Sequence, residues 1–435
     1  MPDGPERLRD ASFRTVAAGV ISVLLLSACG SSASGHPIAA DDVATTDISA
    51  TDPATTTPTD TRPTADTRDS GVDPTLLDTG DYPTTARPDF GMVRDITEGR
   101  EVAGWRLAEA LVFPHQVDNK LRALVIGTGM MYTDGGLSLT AAMDGPAASA
   151  AKVDLVAAAT TTRVVSNADG NPQVGVRDLA ITLLQYPDAA TAERAAQEIH
   201  AAGRTTIGSS EQSIGGLPDT LVHSAVTTDG SLTSAAAVTP HGRFVLHARA
   251  STTPDRQSAI APAITRLVDL QLPLLDRFEP IEKADLARLP IDEDQLLTLT
   301  LPGAETGARG TRTVHGPRGY LHEQDDVDTL DLLERTGTDR VATDASTVFR
   351  AEDAEAAAEL ATLLREHALD AGAADIPSPP NLPDTFCFAL PGPAMPYYTC
   401  LVQRGRFVGE VNRFEGLADV HRAISAQYLI LGSAQ

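Results

Sequence analysis

Residues able to do chemistry are few in this chain of 435 residues, which holds three cysteines and ten histidines. Ser149 and Lys152 have the S-x-x-K spacing of a serine nucleophile with a lysine partner, but the S-D-N and K-T-G elements that complete such a site are absent. There is no G-x-S-x-G elbow, and Gly127-Thr128-Gly129 lacks the third glycine of a dinucleotide-binding turn. With hairpin turns centred on Asp229-Gly230 and His241-Gly242, His223 and His247 flank Ala236 on one sheet face. Two imidazoles need a third ligand to hold a metal, and strands two apart keep these backbones about 9–10 Å apart. They therefore read as structural histidines. No catalytic residue, metal or cofactor is expected, and the chain reads as a non-enzymatic protein.

Cys29 is different. Arg7, Arg9 and Arg14 precede an apolar run over Val16–Leu26, and Leu26-Ser27-Ala28-Cys29 follows. The run is too short to span a bilayer, which needs ~20 apolar residues, but it suits the core of an export signal. Small residues before a cysteine form the lipobox of bacterial lipoproteins. Residues 1–28 are thus expected to be a cleaved signal peptide, with Cys29 carrying the lipid that holds the chain on the outer face of a membrane. Two acyl chains anchor stably where one does so marginally.

Behind the anchor, residues 29–75 are rich in Thr, Asp, Pro and Ala, with little to bury. Such composition does not offset chain entropy, so a disordered tether spanning about 35–40 Å is expected. The net charge of −25, with Lys120, Lys152 and Lys283 the only lysines, excludes nucleic acid as a partner, because that needs clustered positive charge.

The rest of the chain repeats itself. Leu217-Pro218-Asp219-Thr220 matches Leu382-Pro383-Asp384-Thr385, and Gly242-Arg243-Phe244-Val245 matches Gly405-Arg406-Phe407-Val408. Asp188 and Asp353 each open an Ala-rich helical stretch and are N-cap candidates. Three matched blocks in one order predict a duplicated α+β unit, at residues 76–275 and 276–435. Each copy is expected to be a mostly antiparallel sheet, built as strand, helix, three-strand meander and helix, with helices packed on one face. Thr97–Val112, with Trp105, reads as a helix leading into the fold. Pairing about Asp229-Gly230 puts Val222 opposite Ala237. Pairing about the centre of the Pro391–Pro396 loop puts Cys387 opposite Cys400, the same two positions. Directly opposed residues lie within disulfide range, and an exported chain oxidises such a pair. A Cys387–Cys400 disulfide is expected, leaving Cys29 without a thiol partner. The other face of copy two, with Phe386, Phe388, Leu390, Tyr397, Leu401 and Val408, is apolar and needs cover.

Lipobox, stalk, two related halves, the Gly-Arg-Phe-Val strand and two late cysteines together resemble a lipoprotein family of mycolate-containing actinobacteria. That family is defined as a domain of unknown function with separate N- and C-terminal halves. The resemblance covers roughly residues 75–435. It implies a cell-envelope location and carries no activity or functional residue with it. The expected function is binding of an envelope lipid, glycan or protein, with a cleft between the copies as the place for it. The alternatives are an envelope hydrolase with a site assembled from distant residues, or an assembly factor.

Overall fold

A computed structural model describes residues 71–125, 137–167, 172–205, 209–303, 312–324, 326–390, 397–414 and 416–434. The expected signal peptide 1–28, Cys29, the expected tether as far as residue 70 and Gly127–Gly129 lie outside the described residues; the end of the expected tether, residues 71–75, is described, with Val72 packed on the second domain and a short 3-10 helix starting at Pro74. The first unit runs α1 (Ile96–Ala108), α2 (Pro114–Val117), β1 (Ala123–Leu124), α3 (Leu137–Ala142), α4 (Gly145–Ala151), β2 (Ala157–Val164), β3 (Arg177–Gln185), α5 (Ala189–Gly203), β4 (Ser210–Gln212), β5 (Leu221–Val226), β6 (Thr233–His241), β7 (Phe244–Thr252) and α6 (Ile260–Leu275). The second runs β8 (Thr313–His315), α7 (Pro317–His322), α8 (Leu330–Arg335), β9 (Arg340–Thr343), β10 (Thr347–Arg350), α9 (Ala354–Asp370), β11 (Ala374–Ile376), β12 (Phe386–Leu390), β13 (Tyr397–Arg404), β14 (Phe407–Arg413) and α10 (Leu417–Leu431). Among the described residues no helix is long and apolar enough to cross a membrane.

Each unit is one antiparallel seven-stranded sheet, and the two sheets share a strand order: β1-β2-β3-β7-β6-β5-β4 and β8-β9-β10-β14-β13-β12-β11. The fold is α+β with two tandem domains. Registers match residue for residue. His247 lies between Thr182 and Val238, and Glu410 lies between Thr347 and Leu401. Asp188 and Asp353 cap α5 and α9 through Oδ1, accepting from Thr191 N at 2.7 Å and Ala356 N at 2.9 Å. The meander has a fourth strand in each unit, β4 or β11. Both are three-residue edge strands, mostly exposed and too short for an alternating pattern to show.

Helices lie on both faces of each sheet, where one face was expected. In the first domain α1 and α6 cover Leu179, Ile181, Leu183 and Leu246, while α4 and α5 cover Ala158, Leu184, Val238 and Val245. In the second, α10 covers Cys387, Cys400, Val402 and Val411, and α9 covers Phe386 and Val408 on the face opposite. The cause is in the central strands: all of β2 and most of β3 are buried on both sides, as in strands sandwiched between helical layers.

The domains also divide the chain differently from the expected 76–275 and 276–435. Val72, Leu77, Tyr82, Ala86 and Phe90 pack on the second domain's core. Phe278, Ile281, Leu286 and Leu289 pack on the first. The chain therefore docks on its second domain before entering the first. The reason is coverage: the second sheet's α10 face has room beside its one long helix, and the apolar residues of the segment fill it.

Candidate functional site

The domains meet across α1 and the chain after it on one side, and β8 and α7 on the other. Glu109 follows α1 and reaches the start of α7, where Oε1 accepts from Gly319 N at 2.5 Å. A Cβ on Gly319 would lie 2.5 Å from that oxygen and 2.9 Å from His315 Nδ1, so this approach requires glycine. Arg318 Nε donates to Glu109 O at 3.2 Å and its Nη2 to Leu111 O at 3.1 Å. His322 Nε2 donates to Leu111 O at 3.2 Å, and its ring stacks on Phe113 at 4.1 Å. Arg163, fully buried on β2, donates through Nη2 to Leu321 O at 3.0 Å and Gln324 O at 2.6 Å. Arginines that spend their donors on the neighbouring domain's carbonyls make this border rigid, since each such charged bond is stronger than a neutral one.

Beside this pinned border lies a cleft of about 250 Å³. Val102, Trp105, Phe278, Ile291 and Val314 give it apolar walls; Glu109, His315 and Gly316 also line it. Arg106–Glu293 at 3.5 Å and Arg340–Asp294 at 3.2 Å set ion pairs on its lining. Trp105, the chain's one tryptophan, meets His315 edge-on, with ring centroids 6.1 Å apart. Among the described residues neither ring nitrogen of His315 has a well-formed hydrogen bond. Burial holds that imidazole neutral, with its pKa lowered to about 4. Its Nε2 is 3.9 Å from Glu323 Oε1. Desolvation pushes the Glu323 carboxyl up to about 8, although an edge of the side chain reaches solvent. Desolvation likewise raises Glu109 to about 7, against the Gly319 N–H and Arg318 that favour its charged form. No serine, threonine, cysteine or lysine stands among the described lining residues. The cleft offers an aromatic wall, a neutral imidazole and two arginine–carboxylate pairs. That suits holding a small molecule. A second depression, about 590 Å³ beside Pro262 and Leu270 of α6, is shallow and open to solvent.

The residues singled out in the sequence lie elsewhere. Cys387 and Cys400 are opposed on β12 and β13 and joined by a disulfide, with Cα atoms 4.1 Å apart. His421 on α10 brings a ring nitrogen within 4.8 Å of both sulfurs. Sulfurs bonded to each other are not thiolate ligands, and His421 Nε2 donates to Pro377 O at 2.8 Å. Val222 opposes Ala237 as expected, although the loop is wider than two residues. His223 opposes Ala236, but His247 opposes Val238, because the turn is centred on Gly242-Arg243, with Gly242 at φ +55°. His223 instead meets His200 of α5, Nδ1 to Nδ1 at 3.4 Å. Ser149 is an exposed helical residue whose hydroxyl donates to Gly145 O at 2.8 Å. The cleft residues Glu109 and His315, and Glu323 beside His315, carried no spacing signal. Trp105 did stand out, as the only tryptophan on an expected helix.

No curated protein matches the chain. Among solved structures, the extracellular domain of PknH from Mycobacterium tuberculosis is 11% identical, covering 41% of this chain and 100% of its own, with a TM-score of 0.28. DynU16, from the dynemicin biosynthetic locus, is also 11% identical, covering 68% and 90%, with a TM-score of 0.10. Neither likeness informs the site. Family models are more direct. The N-terminal domain of unknown function DUF7373 matches residues 90–291, and its C-terminal counterpart matches residues 295–434, so the border between the two falls in the linker that walls the cleft. The chain belongs to DUF7373, a two-domain family of unknown function.

Proposed function

We propose that this is an extracytoplasmic binding protein of an actinobacterial cell envelope, held on the membrane by lipid on Cys29, which takes a small ligand in the cleft between its domains without turning it over. The observation that carries the reading is the cleft: an aromatic and aliphatic wall around Trp105, ringed by paired charges, with no serine, threonine, cysteine or lysine on its described lining. The signal-like N-terminus, the lipobox cysteine and the Thr/Pro/Asp tether support the location. The acidic surface argues against nucleic acid and against direct adhesion to anionic lipid.

The test uses Trp105 as an internal reporter. The full chain is purified from its native host, molecules that co-purify are identified by mass spectrometry, and each is titrated back against intrinsic fluorescence. A saturable change in Trp105 fluorescence, with calorimetry showing weaker binding of the same ligand to Trp105→Ala, supports the cleft. Binding that leaves Trp105 fluorescence unchanged moves the site elsewhere. Conversion of the ligand to product would replace the binding reading by hydrolysis. Mass spectrometry of the mature N-terminus checks the anchor separately, and a free N-terminus away from Cys29 would rule it out.

A further inference from the structure

We propose that residues 72–93 form a strap that holds the outer wall of the cleft in place, so that docking of the strap regulates access to the ligand. The proposal rests on the cleft being the ligand site.

The cleft's outer wall is the linker between the domains, with Pro290, Ile291, Glu293 and Asp294 on its lining. That linker is paired, antiparallel, with the strap. Val93 N donates to Leu289 O at 2.9 Å, Ile291 N donates to Gly91 O at 3.0 Å, and Met92 bridges to Pro290 between them. Farther back, Arg87 ties the strap to the second domain. Its Nη1 donates to Asp344 Oδ2 at 2.7 Å, its Nη2 to Leu297 O at 2.8 Å and Thr300 Oγ1 at 2.5 Å, and its backbone N to Thr298 O at 3.0 Å. At the far end Tyr82 Oη donates to Asp419 at 3.0 Å, and Arg422 donates to Asp78 at 3.0 Å.

Val93 at the strap's end is buried in the first domain's core, but the residues that pack on the second domain, Val72, Leu77, Tyr82, Ala86 and Phe90, are half-buried rather than buried. An element held by polar anchors and partial burial belongs to the part of a protein that opens locally without global unfolding. The border at Arg163 and Arg318 stays pinned when it does, so release loosens one wall of the cleft and leaves the domains together. Because docking and cleft shape share the Leu289–Ile291 backbone, ligand in the cleft favours the docked strap to the same degree that the docked strap favours ligand.

The experiment measures acrylamide quenching of Trp105 in the full chain, together with amide exchange at Ile291. It compares the natural protein with Arg87→Ala and with Gly91→Ala. Gly91 has φ +66° and open space around it, so an added methyl strains only the backbone pairing and spares the domain cores. Both variants are expected to speed Ile291 exchange about tenfold and to raise the quenching constant roughly twofold. Quenching unchanged in both variants overturns the strap and leaves the cleft reading standing. A Trp105 that acrylamide does not reach even in the natural protein overturns the cleft reading, and the strap with it.

Discussion

The two domains have one strand order and one register, yet the same two positions are held in different ways. In the first, Val222 faces Ala237 as part of a core that α1, α6 and the chain after α6 cover together. In the second, Cys387 faces Cys400 under α10 and the half-buried residues of the strap. The face with less of its own cover is the one with the covalent link. A second position diverges as well. His247 and Glu410 are equivalent, and both are titratable groups at the centre of a sheet face, one a base and the other an acid. A duplicated scaffold thus keeps its backbone pattern while each copy solves burial separately.

That contrast presumes two units with their own cores, and the largest effect expected from a single substitution tests this. Arg163→Ala removes the donors to Leu321 O and Gln324 O and leaves buried carbonyls unpaired, at a cost of about 3–5 kcal/mol. One calorimetric unfolding transition is expected to split into two, because the border fails before either core does. A single transition lowered as a whole would mean that the domains share one cooperative core.

The disulfide comes next. Cys387→Ala with Cys400→Ala is expected to cost the second domain roughly 3 kcal/mol in the chain-entropy model. Urea unfolding read by Trp105, which sits in the first domain, should move far less than unfolding read by far-ultraviolet circular dichroism. The converse sharpens the comparison: Val222→Cys with Ala237→Cys should cross-link spontaneously in air. Persistent free thiols in that variant would show that the equivalence of the two hairpins stops at register.

The His247/Glu410 pair predicts opposite pH responses. Burial, then Arg249, lowers His247 from 6.5 to about 3. Its contribution is intact above the unfolded value and is lost as pH falls from 6.5 through about 3. Burial raises Glu410, against its hydrogen bond from Asn412. Its contribution is present at low pH and is lost as pH rises from the unfolded value near 4.5 through the higher folded one. His247→Leu should therefore flatten the acid limb of the stability profile, and Glu410→Gln the alkaline limb, each by about one proton of slope, near 1.4 kcal/mol per pH unit. Flattening of the same limb by both would break the symmetry argument.

The repeat was legible because matched blocks such as Leu-Pro-Asp-Thr and Gly-Arg-Phe-Val mark strands and turns, whose spacing a duplication preserves. The Cys387–Cys400 register was legible for the same reason, since a hairpin's centre fixes every pair along it. The turn after β6 was read one residue early on each arm, because His241-Gly242 and Gly242-Arg243 both place a glycine in a two-residue turn, and only the backbone decides which position needs φ > 0. The cleft was legible only as a location. Glu109 and His315 come from different domains, and their meeting depends on how two finished domains dock. The strap was hidden because Val72, Leu77, Tyr82 and Phe90 have neither helical nor strand spacing; their partners are on α10 and its neighbours, far along the chain.

The smallest expected effect is also the most exacting comparison of the copies. Asp188 and Asp353 have matching extended backbone, φ −154° and −150°, and each accepts from the N–H three residues on. Asp188→Ala and Asp353→Ala should each lower the melting temperature of their own domain by about 2–4 °C, as read by calorimetry in a variant whose two transitions are resolved. The Thr191 N–H holds the Asp188 carboxyl below its usual 3.8, so its cap is present above that value and is lost as pH falls through the lower folded one. Asn at either position accepts the same bond without a charge and should restore most of the loss at neutral pH. Equal losses, both rescued by Asn, are what a duplicated cap requires. A loss in one copy alone would show that the helix start there is held by its packing, α5 on α4 or α9 on the sheet, and that the matching aspartate survives as sequence without the matching role.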